Sequence, residues 1–563
     1  MLSRFIFPHA RRGMCVRKKA NDNMFIFMTR DFWDEHRIPR ELVHTKYVEY
    51  LGESNRTIDS TEEAISFIRV IIDYLQNKFV NQIRKEGSSL FISKLYNIFD
   101  WCFQAYMSEK NNRKELVKLN IAESAMNETL EENKSISLNI ISSINLWLEN
   151  ALLFQSDTES FSDKNPDVEN ELIVDLYLYG LLSRALSYLS LSKNHANLDL
   201  FYGIEITPYE NVPVNTLRYH PVIYFNPLLI GNQDVFSVSV DDYKNLNNSE
   251  FGKGFTKEYG LDLLLSLRIF KTIQVYVMKE GQQSIVVINK HSFLEIIQDY
   301  SKQEIDAEKF FDAFVLTEKQ IKSQLKKDEP IVWRMNTNKY RHELRPFLCL
   351  NNDNLIISYQ GLEQSIHIWL SYFANGGMIY SNAKDSLTTA IEKRNDELSK
   401  ELVQIIRKKL NDHFIPGFDE IDVQYDRIFG PKECNYGDYD LIFYAKDENE
   451  LFLIEAKYFS DSLSNSGVIT DYEKLFKPNG YYEHCRKRYD LVLQNPDCIK
   501  RFIGVSGSLK VHFLFISSKP LEIEFEDKDG IVAFPCLKIF DKYLEGKLIS
   551  EDGEKTIRPI HTL

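Results

Sequence analysis

The sequence predicts a multidomain protein of mixed class: a mainly α-helical N-terminal region, a middle α+β region and a C-terminal α/β domain. Three observations carry that expectation. From about Ser60 to Asn194 apolar residues recur at threes and fours, as amphipathic helices require. From Asn197 to Tyr380 short strand-like runs alternate with helical ones. Further on, Leu441–Tyr444, Leu451–Ile454 and Val511–Ser517 are nearly continuous apolar runs, which suit strands covered on both faces. A chain of 563 residues has room for three or so domains. The expected organisation is an arm at 1–60, partly basic, a helical domain at 61–195, an α+β domain at 196–380 and the C-terminal domain at 381–563.

Taken in order, Met1–Ala20 carries Arg4, Arg11, Arg12, Arg17, Lys18 and Lys19 with no acidic residue before Asp22. It reads as a disordered or variable terminus, with a transit peptide or a phosphate-touching arm as alternatives. Helices are expected at Thr61–Glu86, Ser88–Lys110, Arg113–Asn133, Ile136–Phe154 and Asp167–Leu191, often opened by acidic or Ser/Thr/Asn caps. In the middle region, Leu198–Ile206, Val222–Phe225, Ser284–Ile288 and Asn354–Tyr359 read as strands. Leu261–Ile273, Ser292–Asp299 and Glu308–Leu325 read as helices. Gly252-Lys253-Gly254 lacks the GxxxxGK[ST] spacing of a phosphate loop and reads as a turn. Trp333, Arg334, Arg341, Arg345 and Trp369 mix cations with aromatics, which suits either a grip on a nucleic-acid strand or a domain interface. In the last domain, Leu387–Leu410 is a long helix with Leu398, Leu402, Ile405 and Ile406 on one stripe. Ile421–Tyr425 is the expected first strand, and Tyr481–Gln494 a helix carrying Arg486, Lys487 and Arg488.

The most informative stretch is Gly437-Asp438-Tyr439-Asp440-Leu441-Ile442, with fourteen residues between Asp440 and Glu455-Ala456-Lys457. Lys446-Asp447-Glu448-Asn449-Glu450 is polar and turn-like, so the flanking runs read as an antiparallel hairpin. With the turn centred near Asp447 and Glu448, facing residues have numbers summing to about 895, which sets Asp440 against Glu455 or one place off. Alternation puts Glu455 and Lys457 on one face and Ala456 on the other. Two facing carboxylates repel, and a divalent ion such as magnesium removes that objection. Lys457 then stands beside the ion, where an ammonium orients water or offsets charge developing at phosphorus. A solvated hairpin is the alternative.

The run Gly-Asp-Tyr-Asp-Leu-Ile followed by Leu-Phe-Leu-Ile-Glu-Ala-Lys resembles the PD-(D/E)XK superfamily of restriction-endonuclease-like nucleases over about the last 180 residues. The resemblance implies an α/β domain with a central mixed sheet flanked by helices and a magnesium-dependent endodeoxyribonuclease, with manganese able to replace magnesium. It assigns the active site to Asp440, Glu455 and Lys457, with the Ala456 carbonyl as an extra metal ligand and Asp438 as auxiliary. Tyr439 stands where the family usually has proline. Many relatives add a glutamate from the preceding helix; Glu401 is the first choice here and Glu397 the second. Arg486, Lys487 and Arg488, with His484 and Tyr489 nearby, are candidates for phosphate contact, against the alternative of a solvated helix face. Ser460–Ser466 reads as a loop beside the site. DNA is favoured over RNA as substrate, and restriction or antiviral defence is the setting that analogy suggests. The rival expectation is a catalytically silent nucleic-acid-binding or sensor protein whose helical region recognises a partner.

Composition sets the outer bounds. The formal charge of −14 excludes a basic nucleic-acid coat protein, so any nucleic acid must be held by a local basic patch. Seven cysteines without a CxxC pair suggest neither a zinc ribbon nor a disulfide framework, and fit a reducing cytoplasm. No apolar run approaches the length of a membrane span. No helicase, methyltransferase or NTP-binding motif is present, so the protein is expected to act alone, as a homo-oligomer, or with a separate NTPase partner.

Overall fold

Glu62 and Glu63 open the first helix and Arg84 and Lys85 close it, charges that complement its dipole. The computed structural model describes residues 61–118, 137, 139–155, 168–192, 196–199, 203–206, 245–280, 285–325, 340–350, 353–376, 385–460, 474–519, 529–549 and 556–563. The basic N-terminal segment, Val222–Phe225, Trp333, Arg334 and most of Ser460–Ser466 lie outside them. By its contacts the chain divides into two units: described residues up to 372 with 385–390, and 373–376 with 391–563.

In the first unit, helices α1 (Thr61–Glu86) and α2 (Ser88–Lys118) meet at Gly87, whose φ of +91° only glycine adopts freely. The expected Arg113–Asn133 helix is the continuation of α2 as far as Lys118; its remainder lies outside the described residues. Helix α3 (139–151) packs on α4 (Asn170–Ser192), where a Cβ at Gly180 would sit 2.2 Å from the Asn139 carbonyl oxygen. The helices share their apolar core with Leu316, Leu348 and Ile356 of the middle region. The helical and α+β stretches, expected as separate domains, therefore have one core between them.

The middle region departs from expectation in three places. Leu198–Ile206 is a hairpin, β1 (Ala196–Asp199) with β2 (Gly203–Ile206), paired antiparallel with Ala196 against Ile206 and Asp199 against Gly203. Gly252 lies in helix α5 (Glu250–Tyr259), capped by the Ser249 side chain; its missing Cβ is needed to approach the Leu246 carbonyl. Glu308–Leu325 is broken: α8 (Ala307–Phe314) gives way to β4 (Val315–Thr317), and Thr317 then starts α9 (Glu318–Lys322) with a capping box to Gln320. Between these, α6 (Leu263–Glu280), β3 (Ile285–Asn289) and α7 (Lys290–Tyr300) are seen, and β5 (Phe347–Cys349) and β6 (Asn354–Ser358) complete a sheet ordered β3-β6-β5-β4. Arg341 is buried against Glu149, Arg345 donates to the carbonyls of Asp312 and Val315, and Trp369 lies in the core. These three residues hold the unit together and present no gripping surface.

The second unit is built on a sheet buried from both sides. After α10 (Tyr359–Asn375), which belongs to the first unit up to Tyr372, and α11 (Ser386–His413) come β7 (Pro416–Gln424), the short α12 (Tyr425–Phe429), β8 (Asp438–Ala445) and β9 (Glu450–Lys457). Helices α13 (Tyr481–Gln494) and α14 (Pro496–Phe502) precede β10 (Lys510–Ser517) and β11 (Val532–Ala533); α15 (Phe540–Leu544) and β12 (His561–Thr562) finish the chain. Strand order is β11-β10-β9-β8-β7, with β12 also on β10. The pairs β7/β8 and β8/β9 are antiparallel, and β9/β10 and β10/β11 are parallel. Leu451 and Leu453 enter a core with α13 and α14, whereas Phe452, Ile454 and Ala456 enter a second core with α11 and α15. Alternation on a doubly covered strand thus explains the continuous apolar run. No helix among the described residues is long and apolar enough to cross a membrane.

Candidate functional site

The β8/β9 register decides which side chains meet. Leu441 faces Ile454, and each pair down to Ala445–Glu450 keeps the same sum, so Asp440 and Glu455 fall at the next position. Glu455 shares the face of Leu451 and Leu453, and Lys457 follows it; Ala456 is turned to the opposite core. Asp440 Oδ2 accepts from the Ala456 amide at 2.7 Å and from Lys457 Nζ at 3.1 Å. Lys457 Nζ also lies 2.7 Å from Glu455 Oε1, so one ammonium bridges both carboxylates. The Glu455 side chain is only 6 % exposed, that of Asp440 16 % and that of Lys457 25 %. The Lys457 ammonium also lies 5.7 Å from the centre of the Tyr481 ring on α13.

Two further carboxylates stand beside Asp440. The register Ile421–Leu441 and Val423–Tyr439 sets Asp422 of β7 against Asp440 of β8. Oxygens of Asp422, Asp438 and Asp440 all lie within 4.8 Å of one another. Asp422 has a φ of +55°, a left-handed conformation that aspartate tolerates better than most residues. Partial burial, together with the charges of Asp440 and Asp438, pushes its carboxyl above the ordinary aspartate value, against an opposing pull from Lys400 and Lys457. Excess negative charge packed this closely suits a divalent cation. Sequence reasoning passed over Asp422, although an aspartate between Ile421 and Val423 was a signal of the same kind as Asp440.

The helical candidates fall out differently. Helix α11 applies Leu398, Leu402, Ile406 and Leu410 to the face opposite Glu455 and Lys457. Glu401 is exposed on that helix and makes no hydrogen bond or ion pair among the described residues. Glu397 pairs with Arg394. The α11 residue whose charge reaches the acidic group is Lys400. On α13, Arg486 pairs with Asp490 and Asp529, and Lys487 with Glu483. Arg488 corrects the expectation of a common outward cationic face. It is buried, with its Nη2 on Glu455 Oε2 and its Nη1 donating to the Tyr436 carbonyl at 2.9 Å. A charge this deep is held only with a partner, and Glu455 provides it.

The supporting frame is tied down by tyrosines. Tyr439 Oη donates to the Arg488 carbonyl at 3.0 Å. Tyr489 Oη reaches the carbonyls of Leu453 and Leu514, linking α13 to β9 and β10. The three strands that bring in Asp422, Asp438, Asp440, Glu455 and Lys457 are therefore held in fixed register next to a fixed helix. Compared with protein-family models, with curated proteins and with solved structures, the chain finds no match.

Proposed function

We propose that the second unit is a nuclease domain of the PD-(D/E)XK kind, which hydrolyses phosphodiester bonds in DNA with magnesium, or manganese in its place. The observation that carries this reading is the lysine bridge: Lys457 Nζ stands 3.1 Å from Asp440 and 2.7 Å from Glu455, at the ends of two paired strands. The sheet, an antiparallel hairpin leading into a parallel pair with helices on both faces, is in keeping with the fold that the resemblance implies. The residues fit a hard cation, since the three close aspartates offer only oxygen ligands and carry more negative charge than their neighbours offset. Asp440, with Asp422 or Asp438, and Glu455 through Oε1 would hold it, and the Ala456 carbonyl is the further ligand suggested by the family. A bound magnesium supplies charge stabilisation at the phosphoryl oxygens and a more acidic water. The chain's own part is to hold that position and to place the Lys457 ammonium where it orients the attacking water or meets charge on the phosphate.

The test is a cleavage panel of single-stranded DNA, duplex DNA and RNA with magnesium, comparing wild type with Asp440→Ala and Lys457→Ala. Metal-dependent cleavage of DNA that both variants lose supports the reading; equal cleavage by wild type and variants overturns it. One observation favours a second reading, in which the domain binds nucleic acid without cutting. Glu455 has both oxygens engaged, by Lys457 and by Arg488, and is neutralised without an ion. Binding without cleavage in the same panel selects that reading. Restriction or antiviral defence, a homo-oligomer, a separate NTPase partner and a cytoplasmic location belong to the proposal as the setting that such a nuclease would have.

A further inference from the structure

The two oxygens of Glu455 are not equivalent. Oε1 faces Lys457 and, through it, Asp440; Oε2 is taken by the Arg488 guanidinium. That guanidinium is anchored independently of Glu455. Its Nη1 donates to the Tyr436 carbonyl, just before the Gly437-Asp438-Tyr439-Asp440 run, and would lie 3.0 Å from a Cβ at Gly437. Its own backbone carbonyl accepts from Tyr439, and the next residue, Tyr489, clamps β9 and β10. Both side chains of this pair are buried, Arg488 5 % and Glu455 6 % exposed, so Oε2 is closed off from bulk solvent.

We infer that Arg488 is a positioning and metal-selecting residue: by occupying Oε2 it leaves Glu455 a single oxygen, Oε1, to offer a cation. The consequence follows from coordination chemistry. Small octahedral ions such as magnesium and manganese accept one oxygen per carboxylate and keep waters, whereas calcium takes more ligands and favours bidentate carboxylates. A glutamate restricted to one oxygen therefore disfavours calcium. The inference rests on the metal-site reading above and adds to it a role that neither Lys457 nor the aspartates can fill.

The test measures manganese and calcium binding by calorimetry on the full-length protein, for wild type, Arg488→Met and Arg488→Lys. Loss of a nearby positive charge raises affinity for both ions alike and cancels in their ratio. Arg488→Met, close in length and without a donor for Oε2, is expected to shift that ratio about tenfold toward calcium, the scale on which partners of metal ligands act. Arg488→Lys, which keeps a donor for Oε2, is expected to return most of the wild-type preference. An unchanged ratio in folded Arg488→Met overturns the inference, since a purely structural role affects both ions equally. Arg488→Leu, also without a donor, serves the same comparison if the methionine variant does not fold. Absence of manganese binding to the wild type, or binding that Asp440→Asn leaves intact, overturns the underlying metal-site reading instead. The two failures are thus distinct.

Discussion

Strand β9 carries a buried glutamate at its start, Glu450, and another near its end, Glu455, and the two are built on opposite charge logic. At its start, Glu450 meets two cations, Arg558 at 2.8 Å and Lys510 at 3.7 Å, and the His512 ring at 3.3 Å. His512 stacks on Phe452 with ring centroids 4.5 Å apart, and its Nδ1 lies 3.0 Å from the Tyr543 hydroxyl. At its finish, Glu455 joins Asp440, Asp438 and Asp422, and the charges in reach are Lys457 and Arg488, with Lys400 acting on Asp422. The first end is a closed knot in which cations outnumber the carboxylate. The second is a surplus of carboxylates awaiting positive charge. The two glutamates are equally buried, although Asp422 beside the second is exposed, so charge balance and not the depth of the glutamate distinguishes the two ends.

The comparison breaks first at the site. Lys457→Ala is expected to lower cleavage about a thousandfold, within the range for losing a positioned acid–base or charge-stabilising group, while leaving the fold intact. Single-turnover rates with a melting curve for each variant check this; a loss matched by unfolding would count against the charge-balance account. At the closed end the effects should be reversed. Arg558→Met leaves Glu450 short of a partner and is expected to destabilise by roughly 3 kcal/mol, read as a lower Tm, with metal binding unchanged.

Acid separates the ends again. Burial lowers the pKa of His512 from its ordinary value of 6.5, and Glu450 is also held below its ordinary 4.5, the hydrogen bond with His512 and the charge of Arg558 outweighing burial. Both groups bind protons more readily when unfolded, so both contribute stability that is lost as the pH falls. The loss begins below about 6.5 with His512 and grows below about 4.5 with Glu450. Asp422 is raised, so in the metal-free protein it opposes folding once the pH exceeds its unfolded value near 3.8, and acid relieves that cost. Asp422→Asn should therefore raise the metal-free Tm slightly at neutral pH, with the gain fading in acid; a fall in Tm at neutral pH would contradict the crowding of these aspartates. The smallest effect is expected from Glu401→Ala. An exposed residue on the far-face helix should change cleavage by no more than about twofold.

Much of this was written plainly in the chain. The register sum of 895 appears unaltered in the pairing of β8 with β9, because a short polar turn between two apolar runs leaves little freedom. Tyr481–Gln494 and Thr61–Glu86 are helices with the expected bounds, since strong periodicity and clear ends coincide there. Other features needed three dimensions. Arg488 follows Arg486 and Lys487 in sequence, yet helical rotation turns it inward while its neighbours pair along the surface. Asp422 gains meaning only from the pairing of β7 with β8, which sets it against Asp440, more than thirty residues before Glu455 in sequence. The break at Val315 was hidden because β4 finds its partner β5 some thirty residues later, beyond what local pattern can register.

The most direct test of the central claim is single-turnover cleavage of duplex DNA by wild type and Lys457→Met, with and without magnesium, at matched folded fractions. The account predicts magnesium-dependent cutting by the wild type and about a thousandfold slower cutting by a fully folded Lys457→Met. Cutting by that variant at the wild-type rate would contradict it.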